Sequence, residues 1–425
     1  MTRTLIRDVR LIDPEGGTET PGALLIEDGL IADLLPPDPE GTFDQIIQGN
    51  GKHLAPGIVD WGVKVSEPGE RHKESFRTAG LAAAAGGVTT IVTRPDTSPA
   101  IDTPETLEFV ARRASADSPV RVLPMAALTK GREGREMTEI AFLKDAGAVA
   151  FTDGDRVTED TRVLARALTY ARGLNALVVT HVQDQSLSRG AVMTSGKFAS
   201  LRGLPAVSPM AERLGLERDL ALAEMTRVSL HADQVTTAAA LPSLLRAKEG
   251  GLDITAGISV HHLTLNDLDV GDYRTFFKLV PPLRQEEDRE AAVEALASGL
   301  IDTLGSLHTP QDEESKRLPF EAAAPGAVGL ETLLPASLRL VHGGRLTLPQ
   351  LFRALSLNPS RRLGLPTGRL RKGAPADLVL FDLHAPFVLD RWTLRSKSKN
   401  TPFDGARLQG RVRGTWVAGR RVWES

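Results

Sequence analysis

Residues 55–69 read Ala-Pro-Gly-Ile-Val-Asp-Trp-Gly-Val-Lys-Val-Ser-Glu-Pro-Gly. Pro56-Gly57 and Glu67-Pro68-Gly69 bracket an apolar run too short for a helix and well suited to a strand. Alternate residues of a strand project to one face, so positions 62 and 64 are expected on the same side. Those positions hold Gly62 and Lys64.

Outward from this strand, short apolar runs alternate with helical patterns through about residue 365. Runs at 89–93, 120–126, 148–151, 176–180 and 252–256 are predicted strands. Helices are predicted over 76–85, 104–114, 139–146, 161–172, 211–225, 238–249, 287–298 and 349–356. Such repetition over about 300 residues implies a parallel sheet, and a closed (β/α)8 barrel fits the length. A doubly wound sheet is the competing arrangement, but the chain has no GxGxxG or Walker A sequence. Both ends are β-rich instead. Residues 4–12, 23–27 and 30–35 alternate around an Asp28-Gly29 hairpin signal, and 376–381, 410–417 and 422–423 do likewise around Ala418-Gly419. The expected organisation is a small β-sandwich domain formed by 1–53 and 366–425, with a barrel domain at 54–365.

The 425 residues include 51 Lys plus Arg and 54 Asp plus Glu, a net charge of -3, which provides no chain-wide footprint for nucleic acid. There is no cysteine, which removes disulfides, thiolate metal sites and cysteine nucleophiles together. Any metal ligands must come from the nine histidines, from Asp or Glu, or from Lys-derived groups. The charged N-terminal stretch lacks a signal-peptide core, and no run reaches the ~18 apolar residues of a membrane span. A soluble cytoplasmic protein is expected.

The stretch 55–69 resembles the opening barrel strand of the amidohydrolase superfamily, and of dihydroorotases in particular, whose pattern is P-G-x-x-D-x-H-x-H-x-R-E-P-G. The resemblance continues in order through 82–90 (AAAAGGVTT), 94–99 (RPDTSP, family M-P-N-T-x-P), 147–155 (GAVAFTDGD) and 180–184 (THVQD). It runs on through His261-His262-Leu263, 278–284 (KLVPPLR), 326–332 (GAVGLET) and 396–405 (SKSKNTPFDG). It implies an amidohydrolase-type (β/α)8 TIM barrel with a small β-sandwich domain, and cyclic amide hydrolysis assisted by one or two divalent metals, which lower the pKa of a bound water.

This chain departs from the pattern where that chemistry resides. The two histidine ligands of the first strand are Gly62 and Lys64. Asp153 matches a carboxylate ligand and His181 a histidine ligand, while the next ligand position is Gln234, with His231 at a non-ligand position. The catalytic aspartate of T-D-H-A-P-H is Leu307, beside His308, and leucine cannot accept a proton. The Arg and Asn that bind the substrate carboxylate are Ser66 and Asp96, the latter an anion expected to repel an anion. Asp153 and His181 remain as residual metal-ligand candidates. The expectation is therefore no catalytic residue, no metal and no cofactor, with zinc only if hydrolysis is retained, and a vestigial pocket of Gly62, Lys64, Ser66, Asp96, Asp153, His181, Gln234, Leu307 and His308.

Lys64 either pairs with Asp153 or extends to solvent. His261-His262, read as strand neighbours, point to opposite faces and are structural. His53, His72, His342 and His384 are loop or surface residues, and 312–316 is a solvated charged loop. The family includes inactive dihydroorotase-like chains that lack the H-x-H pair and partner aspartate carbamoyltransferase. The resemblance thus implies a non-catalytic partner of that enzyme in pyrimidine biosynthesis, within an oligomer. A working cyclic amidohydrolase with a rearranged site, using Asp153, His181 and His231 or His308, is one alternative. A sensor that uses Arg284 and Lys64 to attract a small anion is another.

Overall fold

A computed structural model of the chain describes residues 3–425. Eight parallel staves form a barrel. They are Ile58–Val63, Val88–Thr93, Arg121–Pro124, the segment 148–152, Val178–His181, Leu230–Asp233, Ile254–Ser259 and Thr303–Gly305. The fourth pairs with its neighbours through Phe151, which bridges Ala126 and Val178, and through backbone hydrogen bonds such as Val149 N–H to the Pro124 carbonyl. Closure between the eighth and first staves uses two bonds: Lys64 N–H to the His308 carbonyl at 2.8 Å, and Ser306 N–H to Asp60 Oδ1 at 2.8 Å. Gly305 fits closely there: a Cβ would sit 3.1–3.2 Å from Asp60 and the Trp61 carbonyl, which would have to give by a few tenths of an ångström.

One helix follows each stave: Phe76–Ala85, Pro104–Asp117, Ile140–Asp145, Thr161–Gly173, Met210–Thr226, Leu241–Glu249, Glu286–Ser298 and Leu333–His342. Local chemistry starts several of them. Ser75 and Thr78 form a reciprocal capping box, Thr103 caps a helix that begins with Pro104, and Asp160 accepts from Arg162 and Val163 N–H. The last helix was not anticipated. Its sequence LLPASLRLVH is buried at seven of ten positions, with Pro335 in its first turn.

The termini form one seven-stranded hydrogen-bonded sheet rather than separately bonded sandwich layers. Its order is Arg420–Glu424, Arg407–Val417, Leu378–Val388, Gln45–Pro56, Arg3–Asp13, Thr18–Glu27, Leu30–Leu35. The hairpin at Asp28-Gly29 forms with φ of 50° and 81°, the left-handed pair of a tight two-residue turn. Ile6, Leu24, Ile26, Ile31, Leu54, Leu378, Leu380 and Trp416 give the sheet its own core. Gln45–Pro56 passes through Gly57 into the first barrel stave, and a Cβ at Gly57 would meet Thr89 at 2.2 Å. No helix among the described residues is long and apolar enough to cross a membrane.

Several local expectations are corrected. His261 and His262 lie on a one-turn helix, Val260–Thr264, so strand alternation does not govern them, and both are buried. His53 is buried on its strand and faces Glu19 at 3.3 Å. Residues Glu313–Arg317 form a short helix that buries Lys316 against the Thr275 carbonyl, rather than a solvated loop.

Candidate functional site

Parallel staves deliver side chains to their C-terminal ends. The first ends at Gly62, Val63 and Lys64. Gly62 sits at φ +72° where the register with the second stave slips between Trp61 and Val63. This bulge breaks the alternation that would place 62 and 64 side by side. A Cβ on Gly62 would meet only Asp233 Oδ2, at 3.9 Å. Space is therefore available, and the obstacle to a side chain is the left-handed backbone. We expect Gly62→His to cost about 1–2 kcal/mol in urea denaturation. An unchanged midpoint would refute that account.

Lys64 does not reach Asp153. Its Nζ lies 3.3 Å from Asp96 Oδ2. The same carboxylate takes two bonds from Arg94, from Nε at 3.3 Å and Nη2 at 3.0 Å. Burial opposes ionisation of Asp96, yet the Arg94 and Lys64 cations outweigh it and hold the carboxyl well below its usual range. The expected repulsion of an anion by Asp96 is thus corrected, because two cations neutralise it. Arg94 was not singled out from the sequence, since the motif resemblance drew attention to residue 96 alone.

Asp153 on the fourth stave is satisfied by hydrogen bonds. Oδ1 accepts from Thr129 N–H at 3.0 Å, and Oδ2 accepts from Thr129 Oγ1 at 2.7 Å and Thr158 Oγ1 at 3.1 Å. Burial nevertheless raises its pKa. Arg132 donates to the Asp153 carbonyl through Nε and Nη2 and to Asp155 through Nη2. Asp155 stands at the rim with its side chain 43% exposed. His181, ending the fifth stave, is buried, and burial lowers its pKa against the opposing pull of Asp155 and Asp233.

The sixth stave ends in Asp233, which accepts from Gln234 Nε2 at 3.0 Å. Gln234 has φ +59°, and its Oε1 finds no partner. Burial raises the pKa of Asp233. Leu307, at the end of the eighth stave, is buried with φ +49°. His308 is fully buried; its Nδ1 accepts from Gly329 N–H at 3.2 Å, leaving Nε2 to face Glu74 at 3.5 Å. It belongs to a structural cluster: Glu74 also accepts from Ser396, Thr78 and Lys397 N–H. Ser66 is buried, and its hydroxyl has no partner. His231 bonds Thr255 Oγ1 at 2.8 Å and packs on Trp61, away from any ligand set.

The pocket residues lie at or just after the C-terminal ends of staves, with Lys64 and Asp96 in contact, and they do not fit a dication. Glycine offers no donor, Lys64 brings a positive charge, and Asp153 is already held by two hydroxyls and an amide. Among the described residues, no three His, Asp or Glu side chains converge in a way that could hold a metal ion.

A closed parallel barrel carrying a sheet built from both chain ends is the amidohydrolase fold. The structure matches L-hydantoinase (dihydropyrimidinase) from Arthrobacter aurescens with a TM-score of 0.91 at 26% identity, covering 100% of this chain and 96% of that one. It also matches the fold of dihydropyrimidinase from Brevibacillus agri NCHU1002, with a TM-score of 0.85, 21% identity and coverage of 100% and 95%. Residues 51–240 fit the family described as dihydro-orotase-like, and 323–423 fit an amidohydrolase family. A dihydroorotase of Syntrophus aciditrophicus (strain SB) is 38% identical over 99% of both chains, and one of Anaeromyxobacter dehalogenans (strain 2CP-1) is 39% identical over 98% of this chain and 96% of its own. The chain belongs to the dihydroorotase family.

Proposed function

We propose that this chain is a non-catalytic dihydroorotase homologue of pyrimidine biosynthesis, acting in the cytoplasm as a structural partner of aspartate carbamoyltransferase within an oligomer. The observation that supports the loss of catalysis is the Lys64 ammonium, 3.3 Å from Asp96 where the family pattern has a histidine ligand. Ring-amide hydrolysis of the family type needs an ionisable water and a group to take its proton. Gly62 and Lys64 supply no ligand pair, and Leu307 accepts no proton. Asp153 and His181 alone fall short of the three protein ligands usual in a catalytic zinc site. The partner role rests on the resemblance to inactive chains that lack the same histidine pair.

A second reading, active cyclic amide hydrolysis with zinc, is favoured by the name dihydroorotase carried by relatives 38–39% identical to this chain. The sensor reading loses its main cation, because Arg284 is 1% exposed and bound to Glu212 at 3.0 Å.

Metal content and dihydroorotate turnover, measured on one preparation purified without chelator, separate these readings. We expect substoichiometric zinc and no turnover above background. Stoichiometric zinc, with turnover abolished by His181→Ala, would overturn the non-catalytic reading. Mixing with the aspartate carbamoyltransferase of the same organism at micromolar concentration is expected to give a joint peak in light scattering. Two unshifted peaks would overturn the partner role.

A further inference from the structure

Three lysines near one another in the fold have no carboxylate partner. Lys316 Nζ donates to the Thr275 carbonyl at 3.0 Å, and Lys397 Nζ to the Arg71 carbonyl at 2.8 Å. Lys399 Nζ donates to the Leu394 and Ser396 carbonyls at 2.6 and 2.7 Å. Among the described residues, no Asp or Glu oxygen lies within 4.0 Å of any of the three ammoniums. They come from distant parts of the chain. Lys316 is on the short helix Glu313–Arg317 after the eighth stave, and the other two are on the segment 391–400 between two strands of the terminal sheet. All three line one cavity of about 290 Å³, which shares no residue with the vestigial pocket at the stave ends.

The carboxylates on that wall are already answered by other groups. Asp312 accepts from Ser315 N–H at 2.7 Å and has His72 at 3.6 Å and Lys73 at 3.9 Å. Glu313 pairs with Arg317 at 3.1 Å. Arg391, also on the wall, has Asp404 at 3.5 Å. The surplus charge is therefore that of the three lysines. Holding an ammonium in a buried place without an anion is costly. Lys316 is 4% exposed, and burial, with Lys278 acting in the same sense, pushes its pKa down to about 7. Burial lowers Lys399 as well. An anion in the cavity would relieve both.

The rest of the wall is suited to a ring. Phe276 and Trp392 both adjoin Arg391, whose guanidinium carbon lies 5.3 Å and 4.6 Å from their ring centroids. Trp392 is 61% exposed, a large aromatic surface left uncovered where the cavity opens. A bare inorganic anion would use the lysines and leave the aromatic wall idle. A planar ring carrying a phosphate would use both, by stacking and by charge-assisted hydrogen bonds. The volume lies at the low end of the roughly 300–1,000 Å³ of small-molecule sites, which suits a single mononucleotide.

We propose that this cavity binds a mononucleotide, its phosphate paired with Lys316, Lys397 and Lys399 and its base stacked on Trp392. The site lies outside the vestigial pocket, so it does not depend on whether the protein hydrolyses a ring amide.

Isothermal titration calorimetry of the full-length protein tests it with adenosine 5′-monophosphate, uridine 5′-monophosphate, uridine and inorganic phosphate as probes. Saturable binding of a nucleotide at a single site is expected, with phosphate and uridine each weaker by roughly tenfold or more. Lys316→Met should weaken nucleotide binding by roughly tenfold or more. Trp392→Ala should weaken it by about fivefold or more and leave phosphate affinity unchanged. Lys372→Met removes an exposed lysine outside the cavity and should change nothing. Should Lys316→Met fail to fold, Lys397→Met at an exposed position should show a smaller loss of the same kind. The proposal is overturned by no heat from either nucleotide at millimolar concentration, or by phosphate or uridine binding as tightly as the nucleotides. Unchanged affinity in the lysine variant or in Trp392→Ala, or an equal loss in Lys372→Met, overturns it too.

Discussion

Glu212→Ala is expected to lower the stability of the protein by about 3–5 kcal/mol, because it leaves a fully buried guanidinium without its anion. Glu212, on helix Met210–Thr226, accepts from Thr236 N–H at 2.7 Å, Thr237 N–H at 2.8 Å, Thr236 Oγ1 at 2.5 Å and Thr237 Oγ1 at 2.9 Å. Arg284 completes the set, donating to Glu212 Oε2 at 3.0 Å, Thr236 Oγ1 at 2.9 Å and Thr194 Oγ1 at 3.1 Å. The two side chains are 0% and 1% exposed. The network ties the loop after the sixth stave to the helix after the fifth and to the PPLR segment. Double substitution, Glu212→Ala with Arg284→Met, removes both charges and should be milder than Glu212→Ala alone. A loss under about 1 kcal/mol for Glu212→Ala in urea denaturation would show that the network does not bear on stability.

The second large effect is acid lability. Burial above all pushes His231 and His262 down to about 3 and His261 down to about 4. His262 is held between Ser259 Oγ at 2.7 Å and the Pro281 carbonyl at 3.1 Å, and His261 stacks on Phe403. In the unfolded chain each titrates near its ordinary value of about 6.5. Below that pH the unfolded state binds protons that the folded state refuses, so stability falls as pH falls, by about 2 kcal/mol per histidine between pH 7 and pH 5. Buried Asp60 and Glu331, raised to about 6 and about 7, act with the opposite sign over part of that window. The comparison that isolates the histidines is the slope of stability against pH in wild type and in His262→Gln. The variant's slope should be shallower by about 1.2 kcal/mol per pH unit between pH 6 and pH 5. Parallel slopes would mean that His262 accepts a proton in the fold.

Legibility in the sequence followed the strength of local signals. The capped helix Phe76–Ala85 was predicted residue for residue, and Thr161–Gly173 to within one, because Ser75 and Asp160 mark their starts and an apolar stripe marks their period. Helix Leu333–His342 and stave Thr303–Gly305 escaped: one carries Pro335 within a ten-residue run, and the other is three residues long. The departures at Gly62, Lys64, Gln234 and Leu307 were readable because flanking motifs held the alignment in register. Arg94 was not, because nothing in the order of residues says that a guanidinium after the second stave shares Asp96 with Lys64 and reaches Thr309 beyond the eighth.

The sequence alone determined the architecture of alternating strands and helices, the β-rich ends and the absence of the histidine pair, since periodicity and residue identity are local properties. Tertiary structure decided the partners. Lys64 pairs with Asp96 instead of Asp153 because closure of the barrel brings the first and second staves together, while Thr129 and Thr158 already satisfy Asp153. Gly62 leaves the alternation because of a bulge, and Arg284 is spent on Glu212 rather than free for a ligand. Each of these outcomes depends on distances between side chains far apart in the chain. A buried charge settles on the nearest opposite charge that folding places beside it, and only the closed barrel sets which one that is.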